Sequence, residues 1–136
     1  MFTWNDSYSV GIDLIDDQHK CLLEIGADIH DIIEEHDGQD IYDEIAAKID
    51  ELEQYTVYHF DTEEKMFEEF GYADMENHIK EHRAFIEYLH SINLDNADVN
   101  QAKTVNTLLK FISMWIFKHI SNTDFKYREF LIEKLK

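Results

Sequence analysis

Two short segments between Tyr58 and His82 carry the strongest signal in the chain: His59-Phe60-Asp61-Thr62-Glu63 and His78-Ile79-Lys80-Glu81-His82, with Gly71 between them. Each segment begins and ends with a side chain that can bind a metal ion. On an α-helix four residues turn through about 400°, so the two side chains lie one turn apart on the same face. Two such pairs on consecutive helices, both in phase with the surrounding apolar residues, indicate a metal site between the helices.

The composition favours long helices and argues against several classes of partner. The 136 residues are 44% apolar and include four glycines and no proline, so we expect a single all-α domain over residues 1–136. The net charge of −18 argues against nucleic acid and anionic membranes, because both require a basic face.

The sequence also predicts where the protein works. A single cysteine, Cys21, excludes an internal disulfide and fits a reducing compartment. The N-terminus lacks the basic segment and apolar run of a signal peptide. No apolar run approaches the roughly 20 residues of a membrane span. These features predict a cytoplasmic location without a membrane partner.

Apolar residues recur every three or four positions in four segments, which predicts four amphipathic helices. Aspartates precede three of these segments and can cap them, and glycines follow two of them. The expected caps and breaks are Asp16 or Asp17, Gly38, Asp40, Gly71 and Asp74, followed by a polar turn over 93–98.

Short turns between the four helices predict an antiparallel up-down-up-down four-helix bundle over residues 16–124. Residues 1–15 should form an N-terminal arm that lies across the bundle and buries Trp4. Residues 125–136 should form a short C-terminal helical tail, anchored by Phe130 and Leu131.

Histidine is concentrated on the apolar faces of these helices. Beside it lies Glu63, and a buried carboxylate costs on the order of several kcal/mol unless it is paired or binds a metal. Asp124 follows His119 by five residues, about 140° away on a regular helix, so the backbone should depart from that helix, as in a π-bulge, if both share the site. The histidines on apolar faces are His19, His59, His78, His82 and His119, whereas His30, His36 and His90 are expected to face solvent.

Seven candidate ligands suit two metal ions better than one. Imidazole and carboxylate ligands without thiolate suit iron, zinc, copper or manganese. Two octahedral ions offer twelve positions, of which five imidazoles, two bridging carboxylates and one bridging oxo or hydroxo group would fill eleven. One position stays open, so such a site could bind one small exogenous ligand.

These motifs resemble those of the hemerythrins, in particular the single-domain bacterial type. The resemblance covers essentially the whole chain and includes the arm, through Trp4 and Tyr8-Ser9-Val10-Gly11-Ile12. The other matching segments are Asp16-Asp17-Gln18-His19, His59-Phe60-Asp61-Thr62-Glu63-Glu64, His78-Ile79-Lys80-Glu81-His82, and Trp115-Ile116-Phe117-Lys118-His119-Ile120 followed by Asp124.

The resemblance implies a non-haem site of two iron ions, with an oxo or hydroxo bridge, that binds O2 reversibly. In the family's pattern three histidines hold one iron, two hold the iron with the open position, and two carboxylates bridge them. Trp115 and Ile116 match the family's positions for apolar walls of the O2 pocket. The corresponding ligands are His78, His82 and His119, then His19 and His59, then the bridges Glu63 and Asp124.

The favoured function is an O2 carrier, store or sensor, and not an enzyme. Five histidines and two carboxylates differ from the carboxylate-rich set of the di-iron oxidases in ferritin-like bundles. The alternative is a peroxidase or oxidase that reduces O2 or peroxide, or a nitric oxide handler, with an external donor such as a flavoprotein. A store of metal or a structural metal is disfavoured, because structural sites are closed. The expected partners are O2 and a redox partner protein.

Overall fold

The computed structural model describes residues 3–35, 41–91 and 101–135, and only the backbone at 101–106, 108, 122 and 123. In these ranges the regular structure is helical, and a 3₁₀ turn, Asp6–Tyr8, precedes the first long helix. The helices are α1 (Asp13–Glu35), α2 (Tyr42–Phe70), α3 (Met75–Ser91), α4 (Gln101–Lys118) and α5 (Phe125–Leu135), and a π-helical turn, His119–Asp124, joins α4 to α5.

The predicted all-α helical bundle is confirmed. Helix α2 packs against α1 and α3, and α4 packs against α1. His19 near the start of α1 lies beside His59 in the second half of α2, with ring centroids 4.6 Å apart. Similarly, His78 near the start of α3 lies 5.0 Å from His119, just beyond the end of α4. Successive helices therefore run in opposite directions.

Helix α1 begins at Asp13, so the prediction that Asp16 or Asp17 caps its start is wrong. Asp16 is buried inside the first turns of the helix. Its carboxylate accepts hydrogen bonds from the Ser9 hydroxyl and from the Val10 N–H, the latter at 2.9 Å. Asp16 therefore ties the N-terminal arm to the bundle.

Gly71 ends helix α2 as predicted. It adopts the left-handed conformation, with φ 73° and ψ 44°, and its N–H donates to the Phe67 carbonyl. Helix α3 then begins at Met75, directly after Asp74. The expected break at Gly38, the cap at Asp40 and the turn over 93–98 lie outside the described residues.

We expect Gly71→Ala to lower the free energy of unfolding by about 1 kcal/mol, since a Cβ is disfavoured in the left-handed region. A Cβ at this position would meet no atom within 4 Å, so the loss would come from the backbone alone. Urea unfolding measures it, and Gly71→Asn is the control because asparagine tolerates this conformation. An equal loss in both variants would contradict the explanation.

The N-terminal arm lies across α1 and α4, but Trp4 is only half-buried, so the prediction that the arm buries it is wrong. Its ring packs edge to face on Tyr8 at 5.9 Å, and the Lys20 ammonium lies 5.0 Å from it. Tyr8 in turn packs against Phe117 at 5.0 Å. The tryptophan therefore covers the bundle surface without entering the core.

The larger apolar core lies between α1, α2, α3 and α4, and a second, smaller apolar cluster packs the tail helix α5 against the start of α1 and the end of α2. Leu131 is fully buried there, as predicted, whereas Phe130 is only half-buried. The cluster consists of Val10, Ile12, Ile15, Phe67, Tyr127 and Leu131. None of the helices in the described ranges has the length and hydropathy that crossing a membrane requires.

Candidate metal centre

The seven polar side chains singled out in the sequence meet in one buried cluster between the two apolar cores. Each of them is 5% exposed or less. Helices α1 and α3 contribute near their starts, α2 in its second half, and the π-helical turn at both ends. The members are His19, His59, Glu63, His78, His82, His119 and Asp124.

The π-helical turn brings Asp124 into the cluster. On a regular helix Asp124 would point away from His119, but here its Oδ1 lies 3.1 Å from the His119 Nε2. The expected departure from a regular helix between these two residues is therefore confirmed.

The side chains form two groups, and the potential ligand atoms within each group lie within 4.8 Å of one another. Both carboxylates face histidines of both groups. Glu63 Oε1 lies 3.1 Å from His59 Nε2 and 3.3 Å from His82 Nε2. The Asp124 oxygens lie 2.9 Å from His78 Nε2 and 3.0 Å from His19 Nε2. The first group is Glu63, His78, His82 and His119, and the second is His19, His59, Glu63 and Asp124.

Three of the rings are oriented by an acceptor on the far side from the cluster. In a neutral ring, an acceptor at Nδ1 holds the ring proton there and leaves Nε2 as a lone pair directed at the carboxylate oxygens. Lone pairs facing negative oxygens repel unless a cation lies between them. The pairs are His59 with Gln18 at 2.7 Å, His82 with Glu64 at 3.1 Å, and His119 with Glu81 at 3.0 Å.

In the described part of the chain, the buried side-chain atoms without a hydrogen-bond partner all lie in this cluster. Among the described residues, nine buried side-chain nitrogen and oxygen atoms have no hydrogen-bond partner, and all nine belong to the seven side chains. Folded proteins leave few buried polar groups unpaired, so their concentration in one place requires an explanation. Imidazole and carboxylate atoms in this arrangement fit transition-metal ions as their missing partners.

The charges in the cluster also favour bound cations. Burial acts to raise the pKa of Asp124, but His119 and neighbouring imidazoles hold it well below its usual value. Burial and Asp124 act to raise the pKa of Glu63, and His59 and His82 outweigh them and lower it. Burial acts to lower the pKa of His119, yet Asp124 raises it to about 10. At His59 burial dominates and lowers the pKa. Both carboxylates are therefore anionic and require positive charge beside them, from a protonated imidazole such as His119 or from a bound cation.

A small cavity touches the cluster on the side of the larger apolar core. It offers about 10 Å³ of space to a water-sized molecule, about enough for one. Trp115 and Ile116, the two expected pocket residues, both line it, and the Trp115 ring stacks on His119 with centroids 4.5 Å apart. The other lining residues are His19, Leu22, Thr56, His59, Phe60, Phe85, His119 and Ile120.

The sequence reasoning missed Tyr127. Its side chain is fully buried and its hydroxyl donates to Glu63 Oε2 at 2.5 Å. Burial, Asp124 and Glu63 together raise its pKa well above the usual value, so it stays a hydrogen-bond donor. The available signal was a tyrosine three residues after Asp124, near the start of α5.

The ring acceptors Gln18, Glu64 and Glu81 were also missed, although each adjoins a cluster residue in the sequence. Each one orients a histidine on a different helix, which sequence spacing does not reveal. The Gln18 amide donates to the Thr62 hydroxyl at 3.2 Å, so its carbonyl oxygen faces His59.

The histidines expected to face solvent do so where the structure describes them. The side chain of His30 is 37% exposed and that of His90 is 66% exposed, and both lie near surface carboxylates. His36 lies outside the described residues.

This arrangement can be compared with known proteins. The model of the Hemerythrin HHE cation binding domain family matches residues 10–131. The chain belongs to the hemerythrin family. It is 35% identical to a bacteriohemerythrin of Clostridium acetobutylicum, over 93% of this chain and 98% of that protein. It is 34% identical to a bacteriohemerythrin of Pseudomonas aeruginosa, over 91% of this chain and 77% of that protein.

The fold agrees with a solved hemerythrin. A crystal structure of wild-type hemerythrin superposes with a TM-score of 0.79 at 27% identity, over 95% of this chain and 96% of that one. The family resemblance predicted from the motifs is thereby confirmed. Hemerythrins are generally O2-binding non-haem iron proteins, typically carriers or sensors.

Proposed function

We propose that this hemerythrin binds O2 reversibly at two iron ions, joined by an oxo or hydroxo bridge and held by its seven buried side chains. The main support is the set of nine unpaired polar atoms of the seven side chains, beside a small apolar cavity. When bound, two ferrous ions supply the electrons for O2 binding and recover them on release. In this proposal His78, His82 and His119 would hold one ion, His19 and His59 would hold the other, and Glu63 and Asp124, which face histidines of both groups, would be shared between them.

The residues behind the histidines have a positioning role. Gln18, Glu64 and Glu81 accept hydrogen bonds from three of the rings and fix both tautomer and orientation. Such partners increase the basicity of a ligating imidazole. Tyr127 keeps its proton and orients Glu63 by donating to it.

The cavity selects a small ligand. Its volume suits water or a diatomic gas, whereas an organic substrate would not fit. Leu22, Phe60 and Ile116 line it and are almost inaccessible to solvent. Excluding bulk water limits the access of protons to bound O2. Both features support reversible binding and disfavour oxidation of an organic molecule.

Metal content and spectra test the proposal. Protein purified from iron-replete cells should contain two irons per chain, one for each ligand group. The anaerobically reduced protein should change its absorption spectrum on adding O2 and recover when O2 is removed. One iron per chain, or zinc, would contradict the iron pair.

The alternative is a di-iron peroxidase or oxidase. It would consume an added reductant with O2 or peroxide without accumulating an O2-bound form. That outcome, with two irons present, would replace the carrier function by the catalytic one.

A further inference from the structure

A second cavity is a surface groove between α2 and α3, with a volume of about 280 Å³. Its floor is apolar and aromatic. The His82 ring lies there, stacked on Phe60 with centroids 3.7 Å apart and an angle of 3° between the planes. Val57, which is 40% exposed, and the half-buried Ile86 complete the apolar surface. A molecule in the groove would therefore lie against a side chain of the metal cluster.

The rim of the groove is acidic. Asp61, Glu64 and Glu87 line it, together with one cation, Arg83. Asp61, Glu87 and Arg83 are exposed. Glu64 has 30% of its side chain exposed, and it accepts the hydrogen bond of His82 Nδ1 at 3.1 Å. It thus connects the solvent edge of the groove directly to a ring of the cluster.

We infer that this groove docks a one-electron donor, a small protein with a basic surface, which returns the iron pair to its ferrous state. The inference rests on the proposed function. Each encounter would pass one electron through the His82 edge, so two donors would reduce two ferric ions to ferrous. No bond in the donor would form or break.

The composition of the groove matches that kind of encounter. Electron-transfer contacts are among the smallest protein interfaces, and interfaces have an apolar centre with a polar rim. Opposite charges increase the rate of encounter and weaken with salt. The whole chain, at −18, attracts cations, and the rim would determine where a cationic donor settles. The cavity next to Trp115 is too small to admit a donor.

Charge variants of the rim test the inference. The donor probe is the methyl viologen radical cation, mixed with the diferric protein in a stopped-flow instrument at low and high salt. The double variant Asp61→Asn, Glu87→Gln should be reduced more slowly, by about threefold or more at low salt. Arg83→Gln should be reduced faster. The matched control is Glu129→Gln, Glu133→Gln, which removes two exposed carboxylates of α5 that are not among the residues lining the groove.

A second measurement is independent of redox chemistry. Hexaamminechromium(III), a redox-inert cation, should selectively broaden the methyl resonances of Val57 and Ile86 in the protein with its metal as purified. The broadening should disappear in the rim variant and persist in the α5 control. If the protein failed to bind O2 but kept this pattern, only the proposed function would be lost.

The opposite results would overturn the inference. If the rim and α5 variants slowed reduction equally, the overall charge and not the groove would attract the donor. If chromium broadened methyl groups evenly over the surface, or if Arg83→Gln slowed reduction, no cationic partner would be favoured at this groove.

Discussion

Replacement of Glu63 by alanine should release at least one iron per chain and destabilise the bundle. Glu63 belongs to both ligand groups, and its Oε1 lies 3.1 Å from His59 Nε2 and 3.3 Å from His82 Nε2. Removing it therefore takes a ligand from each group at once, whereas loss of a histidine would affect one group. Iron analysis after desalting should show one iron or fewer in Glu63→Ala.

Part of the stability loss should come from Tyr127. Without Glu63 its buried hydroxyl loses its acceptor, and an unsatisfied buried donor costs about 1–3 kcal/mol. Tyr127→Phe separates the two contributions, because it removes the hydroxyl and keeps the carboxylate. We expect Tyr127→Phe to retain two irons, and urea unfolding of both variants measures the difference in stability.

Two controls accompany Glu63→Ala. Glu69→Ala changes an exposed glutamate on the same helix, and the double variant His30→Gln, His90→Gln changes two histidines at the surface. Both should keep two irons and normal stability. If Glu63→Ala kept both irons and an unchanged O2 spectrum, its place as a bridging ligand would be wrong.

The cluster could be predicted because its members follow the helical period. The pairs His59 with Glu63, and His78 with His82, share a face by spacing alone, and apolar neighbours in the same phase direct that face inward. Asp124 broke the period, and this mismatch itself predicted the π-helical turn that the structure contains. Spacing therefore carried information both where it was regular and where it failed.

Contacts between elements could not be predicted in this way. Aspartate is a common helix-capping residue, which is why Asp16 was expected at the start of α1. Instead the carboxylate of Asp16 binds Ser9 and Val10 of the arm, and the helix begins three residues earlier, at Asp13. Glu81 adjoins His82 in sequence, yet it orients His119, which lies on another element just beyond the end of α4. Such pairings depend on how the helices are rotated against each other, which a single sequence does not specify.

Replacement of Ile116 by alanine should shorten the lifetime of the O2-bound protein. Ile116 is 3% exposed and lines the cavity beside the cluster, so truncation enlarges the space next to the iron pair and admits water. We expect autoxidation to accelerate roughly tenfold, which corresponds to about 1.4 kcal/mol off the barrier. The same truncation should cost about 2–5 kcal/mol of stability, as for other buried residues.

Ile112→Ala distinguishes a dry cavity from general loosening. Ile112 lies one turn earlier on α4 and is fully buried, but it is not among the residues that line the cavity. It should therefore lose similar stability while keeping the autoxidation rate of the wild type. Stopped-flow mixing of the reduced proteins with O2 measures the lifetime of the O2-bound form in the wild type and in both variants. The wild type should hold O2 far longer than the roughly 0.1 s of a typical enzymatic turnover. Equal acceleration in both variants would show that stability, and not the wall at Ile116, protects bound O2. Rapid consumption of a donor by the wild type, with no O2-bound form detected, would instead favour the enzyme.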